Sequence, residues 1–224
     1  MFREAQPRPL TEIVPASPGD GVAALGFATG WIAAAGAEHL TLIAAPDSVY
    51  AETGVTYAPG AAQLGLPAAR LIHVRSRTLK EALWASEQTL ALSCARVLCL
   101  VPYDARLTLT ATRRLHLAAE KSGAQCVLLR FDPIAPSAAW TRWNVAAAPS
   151  HSVALEMGKP RFAVTLARRR SGRSGQRWLL EWNAHEHAFS EASRIRRDVS
   201  LPMVGRVAAT PVHRSAETHW RRAG

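Results

Sequence analysis

The stretch from Leu10 to Gly36 reads LTEIVPASPGDGVAALGFATGWIAAAG, and it predicts how the rest of the chain is arranged. A short apolar strand comes first, a loop of small residues follows, and an apolar helix begins at that loop. Phosphate-binding P-loops have this order of elements, because backbone N–H groups and a helix N-terminus together hold an anion. The stretch therefore predicts the frame of a nucleotide-binding fold.

The side chains that would bind a nucleotide are missing from this loop. A Walker A loop ends in Gly-Lys-Ser/Thr, because the lysine reaches the outer phosphates and the hydroxyl binds magnesium. The corresponding positions lie in the run from Asp20 to Ala23, and the chain has no lysine before Lys80. Asp20 also places a negative charge where phosphates would lie, so we expect no bound cofactor. The degenerate P-loop position comprises Ser17, Gly19, Asp20 and Gly21.

Strand and helix patterns alternate as far as Phe131. The apolar runs LTLIAA, LIHVRS, RVLCLV and CVLLRF have the composition of strands. Between them, Thr78 and Glu81 form a T-x-x-E capping box for one helix, and a second helix from Thr108 to Ser122 ends on Gly123. This alternation predicts an α/β fold with a mostly parallel sheet between two layers of helices.

The pattern changes in the C-terminal third of the chain. TRWNVAAA, RFAVTLARRR and QRWLLEW follow one another without a helical stretch, so we predict that antiparallel C-terminal strands extend the sheet. RRRSGRSG is then the turn between the final two strands. From about Ala192 the chain has no hydrophobic period. We therefore predict a core domain over residues 1–190 and a basic, flexible tail over residues 191–224.

Composition limits the setting in which the protein works. The chain has 224 residues, of which 48% are hydrophobic, and a net charge of +10. No run approaches the ~20 apolar residues that span a bilayer, and the N-terminus lacks a signal-peptide core. We therefore expect no membrane association. The spacing of Cys94, Cys99 and Cys126 is not that of metal ligands, so we expect reduced thiols and no bound metal, which is consistent with the cytoplasm.

Arginines are concentrated in two clusters near the C-terminus. A basic surface favours phosphate backbones or acidic protein surfaces, and an ordinary solvated surface is the competing interpretation. These arginines are our candidates for DNA or partner binding. They are Arg168, Arg169, Arg170, Arg173 and Arg177 in the hairpin turn, and Arg194, Arg196 and Arg197 in the tail.

Several longer runs carry a resemblance to a known family. They are LTEIV (10–14), SPGDGVAALGFA (17–28), TLTATRRLHLAAEKSG (108–123), APSAAWTRWNVAAAPS (135–150) and GKPRFAVTLARRRSGRSGQRWLLEWN (158–183). The overall pattern resembles the three-layer RecA core, and these runs resemble the ImuA family, RecA-like relatives in the SOS mutagenesis cassette. The resemblance implies a non-catalytic accessory of damage-induced mutagenesis and translesion synthesis. It also implies partners: ImuB, a Y-family polymerase homologue, with RecA or an error-prone replicative-type polymerase as further candidates.

Departures from a working RecA ATPase agree with that implication. RecA-type enzymes place a glutamate after the second strand, where this chain has Pro46 and then Asp47. The Walker B strand should end in an aspartate, whereas here Pro102 and Tyr103 precede Asp104, which leaves a displaced Walker B acid as the minor alternative.

The sequence therefore leaves three functions open. The first is an adapter that docks a polymerase-related partner. The second is a DNA-binding module that uses the Arg168–Arg177 hairpin and the basic tail. A residual ATPase is the third and least favoured.

Two smaller patterns have competing interpretations. His185 and His187 lack a further ligand at metal spacing, so a solvated turn is favoured over a metal site. Trp140 and Trp143 are expected to pack on the sheet rather than stack on bases.

Overall fold

The computed structural model describes residues 8–36, 38–131, 136–150 and 158–192, which form one nine-stranded sheet with helices on both faces. The candidate arginines Arg194, Arg196 and Arg197 lie outside these residues. The strands are β1 Leu10–Pro15, β2 Leu40–Pro46, β3 Leu71–Ser76, β4 Ala95–Val101, β5 Gln125–Arg130, β6 Thr141–Ala148, β7 Arg161–Arg169, β8 Arg177–Asn183 and β9 Ala188–Glu191. The α-helices are α1 Gly21–Ala33, α2 Asp47–Thr53, α3 Ala58–Gln63, α4 Leu79–Leu90 and α5 Leu109–Ser122.

The strand order is β3-β2-β4-β5-β1-β6-β7-β8-β9, parallel from β3 to β6 and antiparallel from β6 to β9. The predicted α/β fold with an antiparallel extension is therefore confirmed. Strand β6 joins the two parts of the sheet, since it pairs antiparallel to β7 as expected and parallel to β1, with Thr11 opposite Thr141. Because β5 and β6 flank β1, the pairing of β6 is decided by a strand far away in sequence.

Two elements were not predicted. The helix α2 has no side-chain cap, and it is held by burial of Val49 and Tyr50, whose hydroxyl donates to the Ile43 carbonyl oxygen at 3.2 Å. The strand β9 has only four residues, and its Phe189 packs against Phe27 with ring centroids 4.8 Å apart. The predicted hairpin is confirmed between β7 and β8, but β9 makes these the second and third strands from the end.

Each face of the sheet has its own hydrophobic core. On one face, α1 is buried over most of its length against β1, β6 and the antiparallel strands. Gly30 is the point of closest approach there, since an added Cβ would lie 2.9 Å from Phe189 and 3.1 Å from Trp182. On the other face, α4 and α5 cover β2, β4 and β5. Cys99 and Cys126 are free and buried on this side, and burial raises the pKa of Cys99 to about 12.

A buried ion network joins the three central strands. Glu12 of β1 is fully buried, and its carboxylate accepts from Arg130 of β5 at 2.9 Å and from Arg142 of β6 at 2.8 Å. A buried charge is tolerated only when it is paired, so this network fixes β1 between its two neighbours. In the described part of the chain, no helix is long and apolar enough to cross a membrane.

Candidate functional site

In the degenerate P-loop, two hydrogen bonds hold the side chain of Asp20 in place. After β1, a 3-10 turn runs from Pro18 to Asp20, and α1 begins at Gly21. The Ser17 hydroxyl donates to one Asp20 carboxylate oxygen at 2.7 Å, and the Ala147 backbone N–H donates to the other at 2.8 Å. These hydrogen bonds lower the pKa of Asp20, so its carboxylate is ionised at neutral pH. The loop therefore presents a fixed negative charge.

An aromatic pair lies beside the start of α1. A Cβ added at Gly21 would lie 3.3 Å from Cε1 of Phe131, which follows β5. Phe131 in turn stacks on Tyr103, which follows β4, with ring centroids 4.7 Å apart. The strands β1, β4 and β5 are parallel, so these rings and the loop lie at the same end of the sheet. Apolar surface therefore stands next to the loop where a nucleotide-binding protein would need polar groups.

The two acids considered as replacements for ATPase side chains lie in ordinary surroundings. Asp47 opens α2 and pairs with Arg75 at 2.9 Å, with both side chains more than half exposed. Asp104 is exposed, in the loop between β4 and α5. Val22, which follows the last glycine of the loop, is 85% exposed.

The five hairpin arginines do not form one surface. Arg173 and Arg177 are exposed at the tip and the start of β8. Arg168 instead donates to the Ser137 carbonyl oxygen at 2.7 Å. Arg170 turns toward α5, where its Nη1 lies 3.3 Å from Nε2 of His116. Arg169 is half-buried. The structure therefore separates a free tip from two bound arginines, of which Arg170 contacts α5 and Arg168 contacts the loop that precedes β6.

These two arginines line a cleft of about 600 Å³ between α5 and the end of β7, which we call the arginine cleft. Thr141, the first residue of β6, pairs with Arg169, so the arginine cleft lies near the amino-terminal end of β6. The P-loop position follows β1 and therefore lies at the opposite, carboxyl end of these parallel strands. The residues lining the arginine cleft are Leu109, Arg113, His116, Leu117, Glu120, Ala138, Trp140, Arg168 and Arg170.

Trp140 forms part of the floor of the arginine cleft. The guanidinium carbons of Arg8 and Arg170 lie 5.2 and 5.6 Å from its ring centroid, within cation–π range. His116 stacks on the same ring at 6.4 Å. Burial lowers the pKa of His116, so the imidazole is neutral at pH 7 and its Nε2 accepts from Arg170. Trp140 is thus half-buried among cations, whereas Trp143 is buried in the core as predicted.

The histidine pair forms a turn, as the sequence indicated. His185 and His187 are exposed between β8 and β9, and the His185 N–H donates to Asn183 Oδ1 at 3.0 Å. Throughout the residues that the structure describes, no three His, Cys, Asp or Glu side chains are grouped to hold a metal.

Sequence reasoning missed most of the arginine cleft and the Glu12 network. Arg113, His116 and Glu120 recur at helical spacing on α5, which was available as a signal, but the opposing wall lies at the end of β7. For the network, the signal was a charge inside an apolar strand, since Glu12 interrupts LTEIV and Arg130 ends CVLLR.

Together, the sheet order and the altered loop define a RecA-like α/β protein without Walker A side chains. The solved RadB recombinase shares this fold, with a TM-score of 0.54 over 84% of this chain and 92% of that chain at 11% identity. Protein ImuA of Caulobacter vibrioides, in strains NA1000 / CB15N and ATCC 19089 / CIP 103742 / CB 15, is 38% identical over 167 residues, 67% of each chain. The chain belongs to the ImuA family.

Two further comparisons add nothing to this assignment. SulA from Pseudomonas aeruginosa overlaps 56% of this chain and 100% of its own at 23% identity, but the TM-score of 0.41 is too low to support an argument. No family model matches the chain.

Proposed function

We propose that this protein is a non-catalytic accessory of SOS-induced mutagenesis that docks ImuB, with RecA or the error-prone polymerase as further partners. Membership in the ImuA family supports the cassette role. The observation that carries the non-catalytic part is the closed P-loop: Asp20 is ionised and hydrogen-bonded to Ser17 and Ala147 where phosphates would have to bind. A loop that holds its own carboxylate repels a phosphate instead of cradling it.

A fold that has given up its nucleotide site acts through its surface. The Glu12 network and the two cores hold the sheet rigid, and the apolar and basic groups that remain exposed are available to a partner. Exposed large apolar side chains include Trp84, Leu109 and Leu117, which lie on the two helices of one face. Protein docking uses such groups, with charges that steer the encounter.

The proposal is tested by retention of purified ImuB on the tagged full-length protein, with and without nuclease, over a range of salt concentrations. We expect retention that survives nuclease and declines with salt less steeply than DNA binding would, because the apolar contacts are not screened. Loss of retention on nuclease treatment would mean that DNA bridges the two proteins. No retention under any condition would contradict the adapter role.

The second candidate is a DNA-binding module formed by the hairpin and the basic tail. Arg173 and Arg177 favour it, since both are exposed and neither forms an ion pair with a described carboxylate. Phosphate binding releases counterions, so affinity for DNA would fall steeply with salt. Salt dependence is measured as the slope of the logarithm of the DNA-binding constant against the logarithm of the salt concentration. Changing both arginines to alanine should flatten this slope by ~1 for each phosphate that is no longer neutralised. An unchanged slope would exclude the tip as the DNA site.

A further inference from the structure

The arginine cleft holds a surplus of positive charge, because three arginines line it and only one carboxylate, that of Glu120, is among the lining residues. Three guanidiniums line it, from Arg113 on α5 and from Arg168 and Arg170 at the end of β7. None of the three forms an ion pair with a carboxylate in the described part of the chain. Other exposed arginines do have such partners, as Arg75 has Asp47 and Arg114 has Glu87. The cleft is therefore charged and open to an acidic occupant.

Apolar groups accompany these charges. Leu109 and Leu117 line the same cleft and are 53% and 51% exposed, although both belong to an amphipathic helix whose buried side packs on the sheet. Exposed leucines beside unpaired arginines are the two components of a peptide-binding cleft, in which apolar side chains dock and acidic side chains pair with the rim.

The details favour a peptide over a nucleic acid. Single strands bind by stacking bases on free aromatic faces, but Arg8 and Arg170 already lie over the Trp140 ring. Leu109 and Leu117 are exposed in the same cleft, and apolar side chains of a peptide can cover them, whereas a sugar–phosphate backbone cannot. A volume of about 600 Å³ holds a few side chains.

We propose that the arginine cleft binds an acidic, leucine- or phenylalanine-containing segment of a protein partner. The proposal rests on the adapter function proposed above and names the surface that performs it. Carboxylates of the segment pair with Arg113, Arg168 and Arg170, and its apolar side chains cover Leu109 and Leu117. Arg170 is already held by His116 and Trp140, so it meets the segment in a fixed position.

The test compares two charge-reversal pairs in the full-length protein. The cleft pair, Arg113→Glu with Arg170→Glu, alters the arginine cleft. The tip pair, Arg173→Glu with Arg177→Glu, makes the same change in net charge at the exposed tip of the hairpin. The probes are a fluorescein-labelled peptide of glutamate interspersed with leucine and phenylalanine, its glutamine counterpart, and labelled oligothymidine. We expect the cleft pair to weaken binding of the acidic peptide by roughly tenfold, a loss of about 1.4 kcal/mol, with a much smaller effect from the tip pair.

Several outcomes would overturn the proposal. If the two pairs weaken binding of the acidic peptide equally, the net charge of the protein and not the cleft determines the affinity. If the glutamine peptide binds as tightly as the acidic peptide, the carboxylates do not contribute to binding. Oligothymidine that displaces the acidic peptide and loses affinity only in the cleft pair would make the cleft a nucleic-acid site. If the cleft pair does not fold, Arg113→Glu alone serves, since Arg113 is exposed on α5.

Binding of ImuB separates the two proposals. If ImuB is retained equally by the wild type and the cleft pair, the cleft proposal is wrong and the adapter function stands. If the wild type does not retain ImuB, the adapter function fails whatever the peptide does.

Discussion

Two carboxylates near the start of the chain have opposite surroundings. Glu12 is fully buried and contacts two arginines, whereas Asp20 lies in an exposed loop and accepts from a hydroxyl and a backbone N–H. Glu12 therefore contributes to the stability of the sheet, and Asp20 holds the loop between β1 and α1 in place.

Glu12→Gln should lower the free energy of unfolding by about 3–5 kcal/mol. The amide keeps the shape of the side chain but removes the buried negative charge that the guanidiniums of Arg130 and Arg142 contact. Urea denaturation followed by circular dichroism measures the change.

Asp47→Asn is the matched control, because it removes an ion pair with Arg75 in which both side chains are more than half exposed. We expect Asp47→Asn to lower the free energy of unfolding by at most about 1 kcal/mol. Similar losses of stability for the two variants would contradict a special role for the Glu12 network.

At the scale of the element, the short strand β9 completes the antiparallel extension. Its pairing with β8 runs from Asn183 opposite Ala188 to Leu180 opposite Glu191, and the Ala192 N–H donates to the Leu179 carbonyl oxygen at 2.8 Å. Phe189 closes the core over Gly30 of α1, which explains why that helix position is a glycine. The strand is thus part of the folded core, although it extends one residue past the predicted domain boundary at 190.

Two C-terminal truncations should have different effects. A form ending at Ala192 keeps β9, so its free energy of unfolding should lie within roughly 0.5 kcal/mol of the full-length value. A form ending at His187 lacks Phe189 and the β9 hydrogen bonds, and should be destabilised by roughly 2–4 kcal/mol.

Thermal and urea denaturation of both forms measure these differences. Strong destabilisation of the longer form would show that residues beyond 192 belong to the core. That result would contradict the proposed division between core and tail.

At the scale of the whole molecule, a nucleotide site in this fold is assembled from the ends of several strands. In this chain those ends supply Asp20 after β1, Pro46 at the end of β2, Tyr103 after β4 and Phe131 after β5. The proposed loss of nucleotide binding would therefore involve several strand ends, and restoring a single motif should not restore binding. The remaining candidate surface, the arginine cleft, lies toward the opposite ends of the strands.

Neither the wild type nor the double variant Val22→Lys with Ala23→Thr should bind ATP. The variant restores the lysine and hydroxyl after Gly21, and Val22 is exposed enough to accept the change. Binding should still fail, because the ionised Asp20 and the Phe131–Tyr103 pair remain beside the loop.

Titration with a fluorescent ATP analogue, with and without magnesium, is the measurement. Magnesium-dependent binding by the wild type would contradict the non-catalytic proposal. Binding by the variant alone would show that the loop residues decide the loss of ATP binding and that the other strand ends do not.

Much of the architecture is determined by local sequence. Alternating apolar strands and capped helices predict the parallel α/β layers, and the Thr78–Glu81 capping box and the Gly123 cap fix helix ends within the chain itself. The missing Walker A side chains are likewise readable, because the motif is contiguous. These features depend on residues a few positions apart, which is why the sequence by itself was sufficient for them.

Only the tertiary structure decided which strand pairs with which and what the arginines do. β6 pairs with β1 across 130 positions, and its parallel direction follows from that partner and not from its own composition. Arg170 and His116 are 54 positions apart, so nothing in the hairpin sequence distinguishes Arg170 from Arg173. Hydrophobic periodicity specifies the face that a residue occupies but not the element opposite it, and the arginine cleft exists only where two such faces meet.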